Sequence, residues 1–188
     1  VFYKTFKNPI SLQYLNSSNP EFQYANVDEG TIGGIELELR KTLGFIAPAF
    51  DKFKISTNLT FITSTMDVIE QSGLEPESRP FEGQSPVLAN LSLGYLNPDS
   101  KWDIQVFYNY TGERLAVVGL NSPDIYERGL STLDAVISKK LGNVSLKFAA
   151  NNLLNPNYTT SSEYLGQEYL TRQYKKGTSF VLSVAYEL

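Results

Sequence analysis

Thr178 to Leu188 reads T-S-F-V-L-S-V-A-Y-E-L. Phe180, Leu182, Val184, Tyr186 and Leu188 fall on one face of an extended chain, and Val181, Ser183, Ala185 and Glu187 on the other. Period-two alternation of this kind predicts a strand in a sheet with one apolar and one mixed or polar face. The alternation runs to the last residue, so the chain is expected to end inside the sheet. From this stretch alone, the apolar row could meet a protein core or lipid.

The same alternation recurs upstream. Strands are expected over 1–7, 33–41, 53–65, 90–95, 102–111, 133–141 and 144–151, which with 178–188 makes eight in an up-and-down order. Ile35, Leu37 and Leu39 oppose Glu36, Glu38 and Arg40. Leu91, Leu93 and Tyr95 oppose Asn90, Ser92 and Gly94, and Trp102, Ile104, Val106, Tyr108 and Tyr110 oppose Asp103, Gln105, Phe107, Asn109 and Thr111. Asn97-Pro98-Asp99-Ser100 reads as a tight turn and Gly142-Asn143 as a two-residue hairpin loop. The polar stretch around Asn16-Ser17-Ser18-Asn19-Pro20, then 67–83, 119–129 and 155–176, read as long loops. The apolar run Leu43 to Phe50 has no assigned conformation.

Connection lengths therefore alternate between long and short. Outer-membrane barrels put long loops at one end and short turns at the other, with strands apolar outside and polar inside. Alternation alone leaves a soluble β domain open. The asymmetry favours the membrane, as does an aromatic girdle of Tyr95, Trp102, Tyr108, Tyr110 and Tyr186.

Composition removes other classes. Apolar residues make up 41% and charged residues 19%, below the ~25% of ordinary soluble domains. Cys and His are absent, which excludes disulfides, thiolate nucleophiles, imidazole bases and Cys or His metal ligands. The net charge of −4 gives no case for nucleic acid. No apolar run approaches the ~20 residues of a membrane-spanning helix. The opening Val1-Phe2-Tyr3 is neither an initiator Met nor a signal peptide, and a piece of a longer polypeptide is expected.

Further motifs lie in order along the chain: Phe2-Tyr3-Lys4 with Asn8-Pro9-Ile10, Gly34-Ile35-Glu36-Leu37-Glu38, and Gly83-Gln84-Ser85-Pro86 leading into Asn90 to Tyr95. Tyr108-Asn109 with Gly112-Glu113-Arg114, Leu133-Asp134, Asn151 to Asn155 and Tyr174-Lys175-Lys176-Gly177 complete them. Together they resemble the late strands of TonB-dependent outer-membrane receptors, in the style of Bacteroidota-like bacteria. The resemblance implies an all-β fold: an antiparallel up-and-down transmembrane barrel segment, about eight strands of a 22-stranded barrel. Residues 1–188 would then be its C-terminal part, with the plug domain and N-terminal strands absent. It implies uptake of a siderophore, cobalamin or oligosaccharide-type nutrient across the bacterial outer membrane, without enzymatic chemistry. Implied partners are outer-membrane lipid, the rest of the barrel and plug, the TonB complex through the missing N-terminal region, and the barrel assembly machinery through the C-terminal strand.

Among individual residues, Glu36, Glu38, Arg40, Asn58, Asn90, Asn109 and Asn151 are expected to line the lumen. Glu36 and Glu38 share a face, yet with Arg40 beside them they read as a solvated charge network rather than an acid–base pair. Asp67, Glu70, Glu75 and Glu77 do not have the spacing of a calcium loop. No catalytic, cofactor or metal site is expected. Tyr158, Tyr164 and Tyr169 are candidate ligand contacts in the last long loop, where Tyr174 also lies. Two rival readings are a self-contained eight-stranded outer-membrane barrel of structural or adhesive role and a soluble β-sandwich binding module.

Overall fold

The computed structural model describes residues 1–15, 18–19, 21–68 and 77–187. The expected loop residues Asn16, Ser17 and Pro20, the acidic Glu70 and Glu75, and the final Leu188 lie outside the described residues. In chain order the strands are β1 (Phe2–Lys7), β2 (Ile10–Leu15), β3 (Glu21–Asn26), β4 (Glu29–Thr42), β5 (Phe53–Val68), β6 (Glu77–Arg79), β7 (Val87–Asn97) and β8 (Trp102–Thr111). They continue with β9 (Arg114–Leu120), β10 (Ile125–Glu127), β11 (Leu130–Leu141), β12 (Val144–Asn151), β13 (Tyr158–Tyr164), β14 (Gln167–Tyr174) and β15 (Ser179–Tyr186). The apolar run after β4 forms two short 3-10 turns, Leu43–Phe45 and Pro48–Phe50.

Eight of these strands form an antiparallel wall in the order β1-β4-β5-β7-β8-β11-β12-β15. They are the eight strands expected from the alternation. β1 and β15 are its two edges and do not pair with each other, so the wall is an open segment rather than a closed barrel. On the edge that β1 covers, β4 is paired from Glu29 to Gly34, and below that its only described partner is β5.

Register keeps the two faces separate across the whole wall. Glu38 lies opposite Asn58, Asn58 opposite Asn90, Asn90 opposite Asn109 and Asn109 opposite Thr132. On the other face Ile55, Leu93, Val106 and Ala135 line up in the same way. Because the side-chain period is two, a one-residue slip anywhere would put a row of Asn and Glu among Leu and Ile. The apolar face is open: Leu37, Leu91, Leu93, Phe148, Leu182 and Val184 are exposed. For a chain that is 41% apolar this is an inside-out distribution, and lipid is the solvent that suits it.

All five girdle residues stand on the apolar face. Trp102, Tyr95 and Tyr186 lie at the short-turn end, and Tyr108 and Tyr110 nearer the long-loop end. Trp102 to Tyr110 spans roughly 27 Å along the strand, which a tilt of ~40° reduces to about 20 Å, near the height of a lipid-facing band. Lys41 and Lys139, on the same face, lie over the Phe45 and Trp102 rings at 5.9 and 4.4 Å. Cations there reach towards the interface along aromatic surface.

The long loops are not loops throughout, and here the sequence expectation is corrected. Residues 10–26, 114–127 and 158–174 build a second, six-stranded sheet in the order β14-β13-β10-β9-β2-β3. β4 begins at Glu29 instead of Gly33, β5 runs to Val68, and β6 pairs with its upper end. The hairpin β2–β3 continues β1–β4: no residue is gained or lost between Lys7 opposite Glu29 and Ile10 opposite Asn26. Asn8, with φ of 50°, kinks the junction in a conformation that Asn tolerates.

β2 and β9 pair in parallel, Gln13 opposite Val118. They are upward continuations of β1 and β8, which stand four places apart in the wall. Such a chord requires the second sheet to curl towards one face, and the contacts identify it as the polar one. Phe81 sits against Gly30, where an added Cβ would lie 2.3 Å from its ring, and edge-on to Phe6 at 5.4 Å. The space beneath holds the buried cluster of Val27, Met66, Val68, Leu115, Val118 and Leu120. This described apolar cluster lies where β9 of the curled sheet packs on the upper end of wall strand β5, which supplies Met66 and Val68.

Turn chemistry follows the usual rules except at Lys101 and Leu165. Gly142 at the short hairpin has φ of 60°, and Asn97 accepts backbone bonds from Asp99 and Ser100 at 3.2 Å. Described non-glycine residues with positive φ are Asn8, Asn121, Asn152, Asn155, Lys101 and, at the β13–β14 turn, Leu165 with φ of 52°. For a branched apolar residue that conformation costs ~1–2 kcal/mol.

Candidate functional site

The polar face is the first element of the site. Glu36, Glu38, Arg40, Asn58, Asn90, Asn109 and Asn151 all fall on it by register. Arg40 and Glu38 form an ion pair at 2.6 Å, both well exposed. Glu38, Arg40, Asn58, Asn90, Phe107 and Asn109 border a shallow cavity of about 180 Å³. Asn109 reaches Thr132 at 3.4 Å and Asn151 reaches Ser179 at 3.2 Å, so the row continues across the wall. Such amides and hydroxyls suit water or a hydroxyl-bearing solute, and the Glu38–Arg40 pairing gives no reason for an acid–base role.

The second element is a cleft where the curled sheet meets the top of β8 and β11. Thr111, Arg114, Glu127, Arg128, Tyr158, Tyr174 and their neighbours enclose about 470 Å³. Tyr158 and Tyr174 stack at 5.2 Å with their planes 16° apart. Lys176 lies over Tyr158 at 4.1 Å and Arg172 over Tyr174 at 4.9 Å. Of the candidate tyrosines, Tyr158 borders this cleft, whereas Tyr164 and Tyr169 stand exposed at the far end of the same hairpin.

Ion pairs hold the cleft's walls. Arg114 donates from Nε and Nη2 to Glu127 Oε2 at 3.0 and 2.8 Å. Arg128 bridges Glu113 and Glu168, at 2.6 Å to the latter, and so ties the β8–β9 turn to β14. Arg79 pairs with Glu77 and Asp124, each at 2.7 Å. Glu82 accepts from the Ser11 hydroxyl at 2.5 Å and the Leu12 amide at 2.9 Å, clamping β2 to the β6–β7 connection. None of these partners was legible in the sequence.

A hydrogen bond from Ser161, and then the Arg128 guanidinium, hold the Glu168 carboxyl below the usual carboxylate range. A depressed carboxyl adds stability above its unfolded value and loses it as pH falls through the folded value. The β13–β14 hairpin should therefore stay protected from hydrogen exchange at neutral pH and lose protection only below pH ~4. Arg128→Gln should blunt that acid dependence, read by exchange on the hairpin amides.

Comparison with known proteins gives a consistent picture. Residues 1–153 match the family model described as TonB dependent receptor-like, beta-barrel. A curated relative, the probable hemoglobin and hemoglobin-haptoglobin-binding protein 4 of Haemophilus influenzae, is 25% identical over 191 residues, covering 85% of this chain and 18% of that protein. Among solved structures, the copper transporter OprC superposes with a TM-score of 0.66 at 15% identity, covering 98% of this chain and 28% of that one. The FrpB iron transporter from Neisseria meningitidis gives 0.63 at 17%, covering 98% and 26%. The siderophore receptor PiuA from Acinetobacter baumannii gives 0.61 at 20%, covering 98% and 25%. The chain thus spans a fifth to a quarter or so of the length of the proteins it resembles.

Proposed function

The chain belongs to the TonB-dependent receptor β-barrel family of the bacterial outer membrane, and from that premise we propose that it forms the C-terminal wall, lumen lining and part of the outward mouth of a nutrient-uptake receptor. In this reading the plug and N-terminal strands lie elsewhere in the parent protein. Uptake is energised through TonB acting on that plug, and the assembly machinery recognises β15. The row from Glu38 through Asn58, Asn90 and Asn109 to Asn151 lines the lumen, with Glu36 and Arg40 beside it. The curled sheet sits at the extracellular mouth, and Tyr158, Tyr164 and Tyr169 offer ligand contacts there.

The observation that carries the reading is the two-faced open wall surmounted by an ordered sheet folded over its polar side. A structural barrel needs no such roof, whereas a receptor needs a shaped mouth. Of the siderophore, cobalamin and oligosaccharide cargoes, the named relatives favour a metal-bearing one, since their names specify iron, copper, a siderophore or hemoglobin.

The test is uptake by cells carrying the full-length receptor as their sole importer, supplied in turn with ferric siderophores, copper, hemoglobin, cobalamin and oligosaccharides. TonB-dependent accumulation of an iron or copper source is the expected outcome. Accumulation that persists without TonB would overturn the energised mechanism, and uptake of glycans alone would overturn the metal assignment.

A further inference from the structure

The lysines at the short-turn end of the wall divide by face. Lys140, on the polar face, pairs with Glu187 at 2.6 Å, and Lys52, just before β5, pairs with Asp99 at 3.3 Å. Lys139 is turned the other way. It stands on the apolar face directly opposite Trp102, with its ammonium 4.4 Å from the centre of that ring. The wall strands β7, β8, β11, β12 and β15 place no Asp or Glu on the apolar face, and Lys139 is their one cation there. Among the described residues, neither its ammonium nor the Trp102 indole N–H meets a hydrogen-bond acceptor. Both strands are interior to the wall, β8 between β7 and β11, and β11 between β8 and β12. Further strands of a barrel add at the β1 and β15 edges and a plug on the polar face, so neither reaches this pair.

A cation held against aromatic surface at the membrane boundary, with no carboxylate beside it, takes its counter-charge from the lipid. Trp102 opens β8 directly after the short turn from β7, and Lys139 closes β11 just before the Gly142 hairpin loop. Short turns of such barrels face the periplasm. Apolar surface rises directly from the pair, since Ile104 and Val106 on β8 lie opposite Ile137 and Ala135 on β11. Beside this seam Phe148 and Phe180 stack at 6.0 Å with their planes 12° apart, forming a ridge. We propose that Lys139 and Trp102 bind one anionic phospholipid of the periplasmic leaflet. The ammonium and the indole N–H take its phosphate, and an acyl chain lies along the β8–β11 seam beside the ridge. A free phosphate would leave the seam uncovered, whereas a phospholipid satisfies charge and apolar surface together. The inference rests on the outer-membrane placement of the wall and not on the uptake reading.

The experiment places the purified full-length receptor in nanodiscs of phosphatidylethanolamine with a minor share of phosphatidylglycerol, and counts the lipids it retains by native mass spectrometry. Wild type is expected to retain phosphatidylglycerol above its share in the disc. Lys139→Gln should lower that retention ~5-fold, the effect of one cation at a lipid surface, and Lys139→Arg should preserve it. Lys147→Gln, on the polar face opposite Ser183, should leave it unchanged. Removing a charge from the apolar face does not threaten the barrel, and heat-modifiable mobility verifies folding. Equal retention in wild type and Lys139→Gln would overturn the site. So would a fall of the same size in Lys147→Gln, which would trace the effect to overall charge. Retention of phosphatidylethanolamine in the same excess would overturn the assignment to an anionic headgroup. Neither cargo nor TonB enters the measurement, so failure of this site and failure of the uptake reading are told apart.

Discussion

Replacing Leu93 by Arg in the full-length receptor is expected to abolish most of its accumulation as folded barrel in the outer membrane, while Ser92→Arg is tolerated. Leu93 lies midway between Trp102 and Tyr110 in the girdle, flanked by Ile55 and Val106 on adjacent strands. Its side chain is exposed on the apolar face. An Arg at the bilayer midplane of a barrel costs ~2–4 kcal/mol, a large share of a typical margin. Ser92, one residue away, points to the polar face beside Asn58 and Asn109, where a guanidinium stays hydrated. Heat-modifiable mobility of the receptor in outer-membrane fractions measures both. Equal tolerance of the two substitutions would refute the face assignment.

Gly119→Ala is expected to unravel the curled sheet without unseating the wall. A Cβ there would lie 2.2 Å from the Ser122 carbonyl oxygen and 2.6 Å from that of Pro123, both backbone atoms that a rotamer change cannot move. The Gly119 amide donates to Asp124 Oδ1 at 2.9 Å, and Asp124 Oδ2 accepts from Arg79 at 2.7 Å. Gly119 also lies opposite Tyr14 in the parallel pairing of β2 with β9. Displacing the 121–123 turn therefore adds the loss of charge-assisted bonds, ~1.5–3 kcal/mol each, to an overpacking cost of ~1–3 kcal/mol. A cluster as small as Val27, Met66, Val68, Leu115, Val118 and Leu120 has little reserve against that. External protease on intact cells should cut the variant within 114–127 while β8 and β11 remain protected. Gly142→Ala, with open space around its Cβ, should show only a local backbone penalty.

What the sequence disclosed follows from the range over which each signal acts. Wall strands announce themselves because one face meets lipid and the other water, so alternation such as Ile35 to Arg40 survives without any partner in view. Their turns are equally local, as in Gly142-Asn143. The curled sheet is different. β2 and β3 are six residues each and set among Asn, Ser and Pro, and β9, the other partner of β2, lies about a hundred residues away. A bulge after Thr160 shifts the β13–β14 register, so Gln167 to Tyr174 shows no sustained alternation. At the cleft, Arg114 and Arg128 find acids 13 and 40 residues away, distances at which charge patterning says nothing. Tyr158 stacks on Tyr174 because of hairpin register, while Tyr164 and Tyr169 stand at the other end of that hairpin.

The parallel chord between β2 and β9 has a consequence for the order of assembly. Wall hairpins such as β11–β12 close small loops and zip as they are laid down, whereas Gln13 can meet Val118 only after four further wall strands are in place. Loop closure over such a separation is slow relative to local pairing. The wall thus matures before the curled sheet above it. In the interval β2 presents an unpaired backbone edge and Leu115, Val118 and Leu120 are bare. A newly paired wall is chemically competent to sit in lipid some time before the strands above it have found their partners.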